Sequence, residues 1–196
     1  MCRIETAAGM QRDLVARAMD GDHDAFGDLL RASTDRLYAV ASLILRDGDR
    51  GQDAVQEALV AAWRDIRGMR DPDAWDAWLY RLVVRACYHT AGRDRRRHVV
   101  ELSVAPHREP STAADPGGAL ADRDDLSRAI GMLPLDQRAV LVAHFYLGLP
   151  IASAAAVLGI PVGTCKSRMA RGLDALRTSV WGETEPPRLR SAEPRA

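Results

Sequence analysis

At 196 residues, with 27 basic and 27 acidic side chains, the chain is long enough for two compact domains and carries no net charge. A global positive field is therefore excluded as a source of attraction to nucleic acid. Three cysteines, widely spaced and odd in number, exclude a disulfide framework and a spaced metal knuckle, so a reducing, cytoplasmic setting is expected.

The N-terminus carries no apolar leader, and charges arrive by Arg3 and Glu5. The first ten residues read as loose. A short helix over Gln11 to Met19 is stopped by Asp20-Gly21-Asp22, and Asp24 starts a longer one with Phe26, Leu29, Leu37, Val40 and Ile44 on one stripe. The next begins near Asp49 or Gln52. There Ala54, Val55, Ala58, Leu59, Ala62, Trp63 and Ile66 recur in steps of three and four, leaving Asp53, Gln56 and Glu57 on the opposite face. Gly68 to Pro72 breaks the pattern, and Asp71 or Asp73 caps a helix carrying Trp75, Trp78, Leu79, Leu82, Val83 and Ala86.

No alternating strand pattern of useful length interrupts these segments, so the expected class is all-α, with two small helical domains joined by a flexible linker. The boundaries expected are a first domain at 11–98, a Pro- and Gly-bearing linker at 99–119, a second domain at 120–181 and a disordered tail at 182–196. Helices are expected in the second domain at Leu120–Met132, Leu135–Leu147, Ile151–Leu158 and Val162–Val180. From Ala139 to Cys165 there is no formally charged side chain, a length that would cross a bilayer. Gly148, Pro150, Gly159, Pro161 and Gly163 cut it into short units, so no membrane insertion is expected.

Charge is sorted locally. Arg81 to Arg97 holds six arginines against Asp94 alone, a net of +5, and Thr164 to Thr178 holds four basic residues against Asp174, a net of +3. Such patches draw phosphates to a neutral protein. Around the second patch, an alanine-rich helix, a turn at Gly159-Ile160 and a cationic amphipathic helix follow without a gap. That order suits a helix-turn-helix, whose second helix enters a DNA major groove. Val162, Cys165, Met169, Leu173 and Leu176 mark its apolar side, and Cys165 is expected to be buried. Lys166, Ser167, Ala170 and Arg171 lie on or beside the open side. Arg81, Arg85, His89 and Arg93, each four apart, form one stripe on the earlier basic helix.

The whole arrangement resembles the extracytoplasmic-function group of bacterial RNA polymerase sigma factors. The likeness rests on DAVQEALVAAW (Asp53–Trp63), WLYRLVVRA (Trp78–Ala86) and LPLDQRAVLVAHFYLGLP followed by VLGIPVGTCKSRMARGLDALR, in that order across two domains. It implies that Asp53, Gln56 and Glu57 grip core RNA polymerase, and that Arg81, Arg85, His89 and Arg93 contact the promoter's minus-ten element. It also puts Gly68 to Trp75 where relatives capture an unstacked base, with Trp75 either at that rim or in the core. Lys166, Ser167, Ala170 and Arg171 would read the minus-thirty-five element, with Arg168 on a phosphate. Many relatives have Asn at the position of Arg85 and Asp at that of His89, and acidic residues where Ile151 to Ala156 stand here.

The expected partners are bacterial core RNA polymerase, promoter DNA and an anti-sigma factor, with no obligate homo-oligomer. No cofactor and no metal are expected. The scattered histidines make no catalytic assembly, so an enzyme is not expected. Two alternatives remain at this point: a conventional helix-turn-helix regulator acting without polymerase, and a polymerase-binding adaptor that does not initiate.

Overall fold

Aspartate-bearing turns set where the first helices begin. The computed structural model describes the backbone of residues 2–102, 126 and 128–181, and the side chains of residues 9–93, 126 and 128–179. Helix α1 spans Cys2–Met19 and α2 spans His23–Leu45. Between them Asp22 caps α2, its Oδ1 accepting the amides of Asp24 and Ala25, both at 3.0 Å. Its Oδ2 accepts from Arg17 Nη2 at 2.6 Å. These bonds, the Ala25 amide foremost, hold the Asp22 carboxyl below the usual carboxylate range. Asp47 caps α3 (Gly48–Asp65) by accepting the Arg50 amide at 3.0 Å. Two single 3₁₀ turns, Ile66–Gly68 and Pro72–Ala74, then lead into α4, Trp75–Leu102.

Two expectations shift here. The opening residues, read as loose, are helical from Cys2, and α4 runs past the boundary expected at 98 to Leu102.

The first four helices bury Phe26, Leu29, Leu37, Val40, Ile44, Val55, Leu79 and Val83 between them. Helix α3 approaches α2 closely at the buried Gly51. A Cβ there would lie 2.7 Å from Ser42 Oγ, 3.0 Å from Ser42 N and 3.1 Å from Ser42 Cα. Two of those atoms are backbone, so the helices would have to part. Overpacking of this kind costs about 1–3 kcal/mol, against about 1 kcal/mol of helix propensity gained on replacing glycine by alanine. Gly51→Ala is thus expected to be net destabilising, by about 1 kcal/mol, and a lowered urea midpoint at unchanged slope would register it.

The C-terminal half follows helical residues 128–132. Helix α5 (Leu135–Leu141) continues into a π-helical turn at Val142–Tyr146, closed by the Leu147 amide on the Val142 carbonyl at 3.1 Å. His144 Nδ1 donates to the Leu149 carbonyl at 2.8 Å, which fixes the proton on that nitrogen. Helix α6 is Ile151–Leu158 and α7 is Val162–Trp181. Val140, Ala143, Ala154, Ala155 and Cys165 form a small core among them. The charge-free stretch thus folds as short units around that core, and no described helix is long and apolar enough to cross a membrane. Of the helix expected at Leu120–Met132, only the end falls within the described residues. The expected linker at 99–119 begins inside α4; its remainder and the tail at 182–196 lie outside the described residues.

The two halves touch. Helix α6 lies against α4, while α5 and the π turn meet α2. Ala139, Val142, Leu147 and Val157 belong to the same buried cluster as the N-terminal helices. At the rim Arg46, in the left-handed conformation that ends α2 (φ 58°), packs its guanidinium over Gly131 and points Nη1 at the Arg128 carbonyl, 3.5 Å away. Arg138 is 8% exposed and donates to the Gly131 carbonyl at 3.4 Å. Burial first, and the Arg46 charge second, lower its pKa.

Candidate nucleic-acid and polymerase interface

On α3, Asp53 and Gln56 are exposed as the sequence implied. Three- and four-residue steps carry that stripe on to Val60 and Trp63, which are 50% and 45% exposed. Sequence reasoning put Trp63 in the apolar core stripe. The structure instead leaves its ring at the surface, edge-on to His23 at 4.7 Å and Phe26 at 5.0 Å. The face is therefore acidic and polar at one end and apolar at the other, a pattern suited to protein contact. Glu57, one residue off the stripe, turns toward α4. Its carboxylate lies 2.7 Å from His89 Nδ1 and 3.3 Å from Arg93 Nη2. Packing of α3 on α4 thus joins two groups of residues that the sequence assigned to different partners.

Arg81, Arg85, His89 and Arg93 are all exposed along α4. The opposite face of that helix buries Leu79, Val83 and Cys87. Burial pushes the Cys87 thiol up to about 12, so it stands as a neutral apolar group. Trp75 needs a correction. It is 1% exposed, with its ring 5.6 Å from that of Trp78 and 6.3 Å from that of Phe26. A base cannot stack on a ring covered on both sides, so Trp75 is the floor under the Gly68-to-Trp75 segment and no part of its rim. Among the described residues its Nε1 has no hydrogen-bond partner.

In the turn motif, Gly159 is left-handed (φ 66°), as a tight helix-to-helix turn requires. Its amide closes on the Ala155 and Ala156 carbonyls. Pro161 immediately precedes α7, and its carbonyl accepts the Cys165 amide at 3.0 Å. Cys165 is 1% exposed, with its pKa raised by burial, and packs in the small core as expected. Lys166, Ala170 and Arg171 are exposed. Ser167 is partly buried, and its hydroxyl donates to the Thr164 carbonyl at 3.0 Å. Arg168, expected on a phosphate, is instead tied to Asp136 of α5 through Nε at 3.0 Å, with 26% of its side chain exposed. A long-range partner captures it, which no local spacing reveals. Among the described residues no group of three or more His, Cys, Asp or Glu is gathered as a metal site would need.

Comparison with known proteins matches residues 15–97 to the family described as sigma-70 region 2, and residues 123–176 to sigma-70 region 4. The ECF RNA polymerase sigma factor SigM of Mycobacterium tuberculosis is 35% identical over 159 residues, which are 81% of this chain and 79% of that protein. The ECF RNA polymerase sigma-E factor of Escherichia coli K12 is 30% identical over 183 residues, covering 85% and 92%. Two solved structures are similar over most of the chain. CnrH in complex with the cytosolic domain of CnrY has a TM-score of 0.63 at 26% identity, covering 89% of this chain and 99% of that one. The sigma factor RpoE in complex with the anti-sigma factor NepR, from Bartonella quintana, has a TM-score of 0.64 at 26% identity, covering 81% and 98%.

Proposed function

Because this chain belongs to the extracytoplasmic-function group of the sigma-70 family, we infer that it is an alternative sigma factor that directs core RNA polymerase to promoters. One observation carries the reading: a region 2 match over the basic-striped α4 and a region 4 match over the turn motif occur in order on one chain. A regulator acting without polymerase has no use for the first of these. The partners are core RNA polymerase, promoter DNA and an anti-sigma factor, the last because RpoE of similar fold is held by one.

In this reading Asp53 and Gln56 meet cationic groups of the polymerase, while Val60 and Trp63 supply the desolvated part of the contact. Arg81, Arg85, His89 and Arg93 face the minus-ten element. Their arginines draw the phosphates, and Glu57 holds His89 and Arg93 at one end of the stripe. Lys166, Ala170 and Arg171, with Ser167 beside them, enter the major groove at the minus-thirty-five element. Arg168 braces α7 on α5 through Asp136 and leaves the reading to its neighbours. RNA synthesis is the work of the polymerase, and the chain itself needs no catalytic group.

The test is transcription by purified core polymerase on a fragmented genomic library of the source organism, with and without this protein. New starts that share two upstream elements are expected. Unchanged starts, with binding to core intact, would overturn the reading in favour of a polymerase-binding adaptor.

A further inference from the structure

Arg81, Arg85 and Arg93 share the open stripe of α4 with His89, and of the four only the histidine can accept a hydrogen bond. A guanidinium carries five N–H donors and no acceptor, whereas a neutral imidazole has one nitrogen for each role. What His89 offers to a partner is therefore set by which of its nitrogens holds the proton. Glu57 sets it. Its Oε1 lies 2.7 Å from His89 Nδ1, and a carboxylate oxygen only accepts, so the proton sits on Nδ1. Nε2, across the ring, is left as the acceptor, and among the described residues nothing meets it. The side chain is 59% exposed, so a ligand can reach the ring.

The other carboxylate oxygen is engaged as well. Oε2 lies 3.3 Å from Arg93 Nη2, which also stands 3.3 Å from the hydroxyl of the buried Thr90. Glu57 cannot turn from His89 without also releasing Arg93. Pairs this open to water add little to stability. Their effect is orientation: α3 supplies a fixed partner for a ring carried on α4.

Resting on the sigma-factor reading above, we propose that His89 reads one base of the minus-ten element as a hydrogen-bond acceptor, favouring adenine or cytosine, and that Glu57 is the positioning residue that gives it this role. On the major-groove edge, adenine N6 and cytosine N4 are the amino donors, while guanine and thymine offer only acceptors. An acceptor nitrogen pairs with the first two and faces another lone pair on the others. The arginines of the stripe attract phosphates, which are the same for every base. Glu57 thus acts on DNA through α4, while Asp53 and Gln56 of its own helix face the polymerase.

The test is transcription by core polymerase saturated with the full chain, from a promoter that it activates, with the minus-ten element randomised. Sequenced transcripts then give the base preference at each position, at about pH 8, above the ordinary imidazole range. The parent is expected to favour adenine or cytosine over guanine or thymine at one position by about threefold to tenfold, the effect of a single hydrogen bond. His89→Ala is expected to flatten that position alone. Glu57→Ala should flatten the same position. Glu57→Gln keeps the shape of the side chain but can donate as well as accept, so it no longer dictates the proton and should flatten the position in part. In a His89→Ala background Glu57→Ala should add nothing there, as required of a residue that acts through the ring. A guanine or thymine preference at the position set by His89, no position flattened by His89→Ala, or a preference that survives Glu57→Ala would overturn the proposal and leave the sigma assignment intact. Absence of promoter-dependent starts with the parent chain would instead strike at the assignment itself.

Discussion

Alanine at Trp75 is expected to lower the stability of the chain by about 3–5 kcal/mol, the loss that follows truncation of a large buried aromatic residue. Whole domains are stable by only about 5–15 kcal/mol, so this one change would leave a considerable unfolded fraction at growth temperature. The expectation rests on burial: Trp75 is 1% exposed and is the largest of the fully buried side chains among the described residues. Phenylalanine at the same position should cost much less, because it keeps most of the ring contact and the indole nitrogen has no partner among the described residues to lose. Urea unfolding of the three proteins measures the order. Binding of a single-stranded minus-ten oligonucleotide then separates core from rim. A Trp75→Phe chain that folds normally should bind as the parent does, and a selective loss of strand binding would show that the ring reaches DNA.

The second large effect is expected at the recognition helix. Lys166 and Arg171 are exposed on α7, and no ion pair within the described residues occupies either of them in the way Asp136 occupies Arg168. A side chain that reads a base contributes about 1–3 kcal/mol of discrimination, and one that meets only a phosphate shifts the salt slope by about one. Alanine at both positions should therefore weaken binding to the minus-thirty-five duplex by roughly a hundredfold or more if each reads a base. Anisotropy titrations at several salt concentrations tell base from phosphate contact at each position. Arg168→Ala makes the contrast. It should loosen α7 from α5 and lower thermal stability modestly, by about 1 kcal/mol or less for a pair this open to water, without relaxing sequence preference.

What the sequence disclosed was whatever had a local cause. The α3 and α4 stripes repeat in steps of three and four, so Asp53, Gln56 and the Arg81-to-Arg93 row could be placed on open faces from spacing alone. Gly159 announced the turn because few other residues accept its conformation. What stayed hidden depended on distant chain. Trp75 follows a polar loop and heads a helix, a place where a ring can lie at a rim or below it, and only Phe26 and Trp78 decide between them. Trp63 has the spacing of a core residue but sits where α3 runs out of cover. The tie of Arg168 to Asp136 joins α7 to α5 across the turn motif. Contact between the halves had no signature either: periodicity cannot say which neighbour buries Ala139, Val142 or Val157.

The stretch from Ala139 to Cys165 has a consequence for the life of the chain before it is folded. As it leaves the ribosome it is a run of alanine, valine, leucine and isoleucine with Phe145 and Tyr146 inside it and no formal charge to repel another copy. Unfolded segments of this kind attract chaperones and each other alike, and natural sequences usually flank them with charged gatekeepers. Here the guards stand only at the two ends, Arg138 and Lys166, while Pro150 and Pro161 interrupt the windows that would otherwise stack as strands. The sooner this half hides its run, the less of the newly made chain stands open to such contacts.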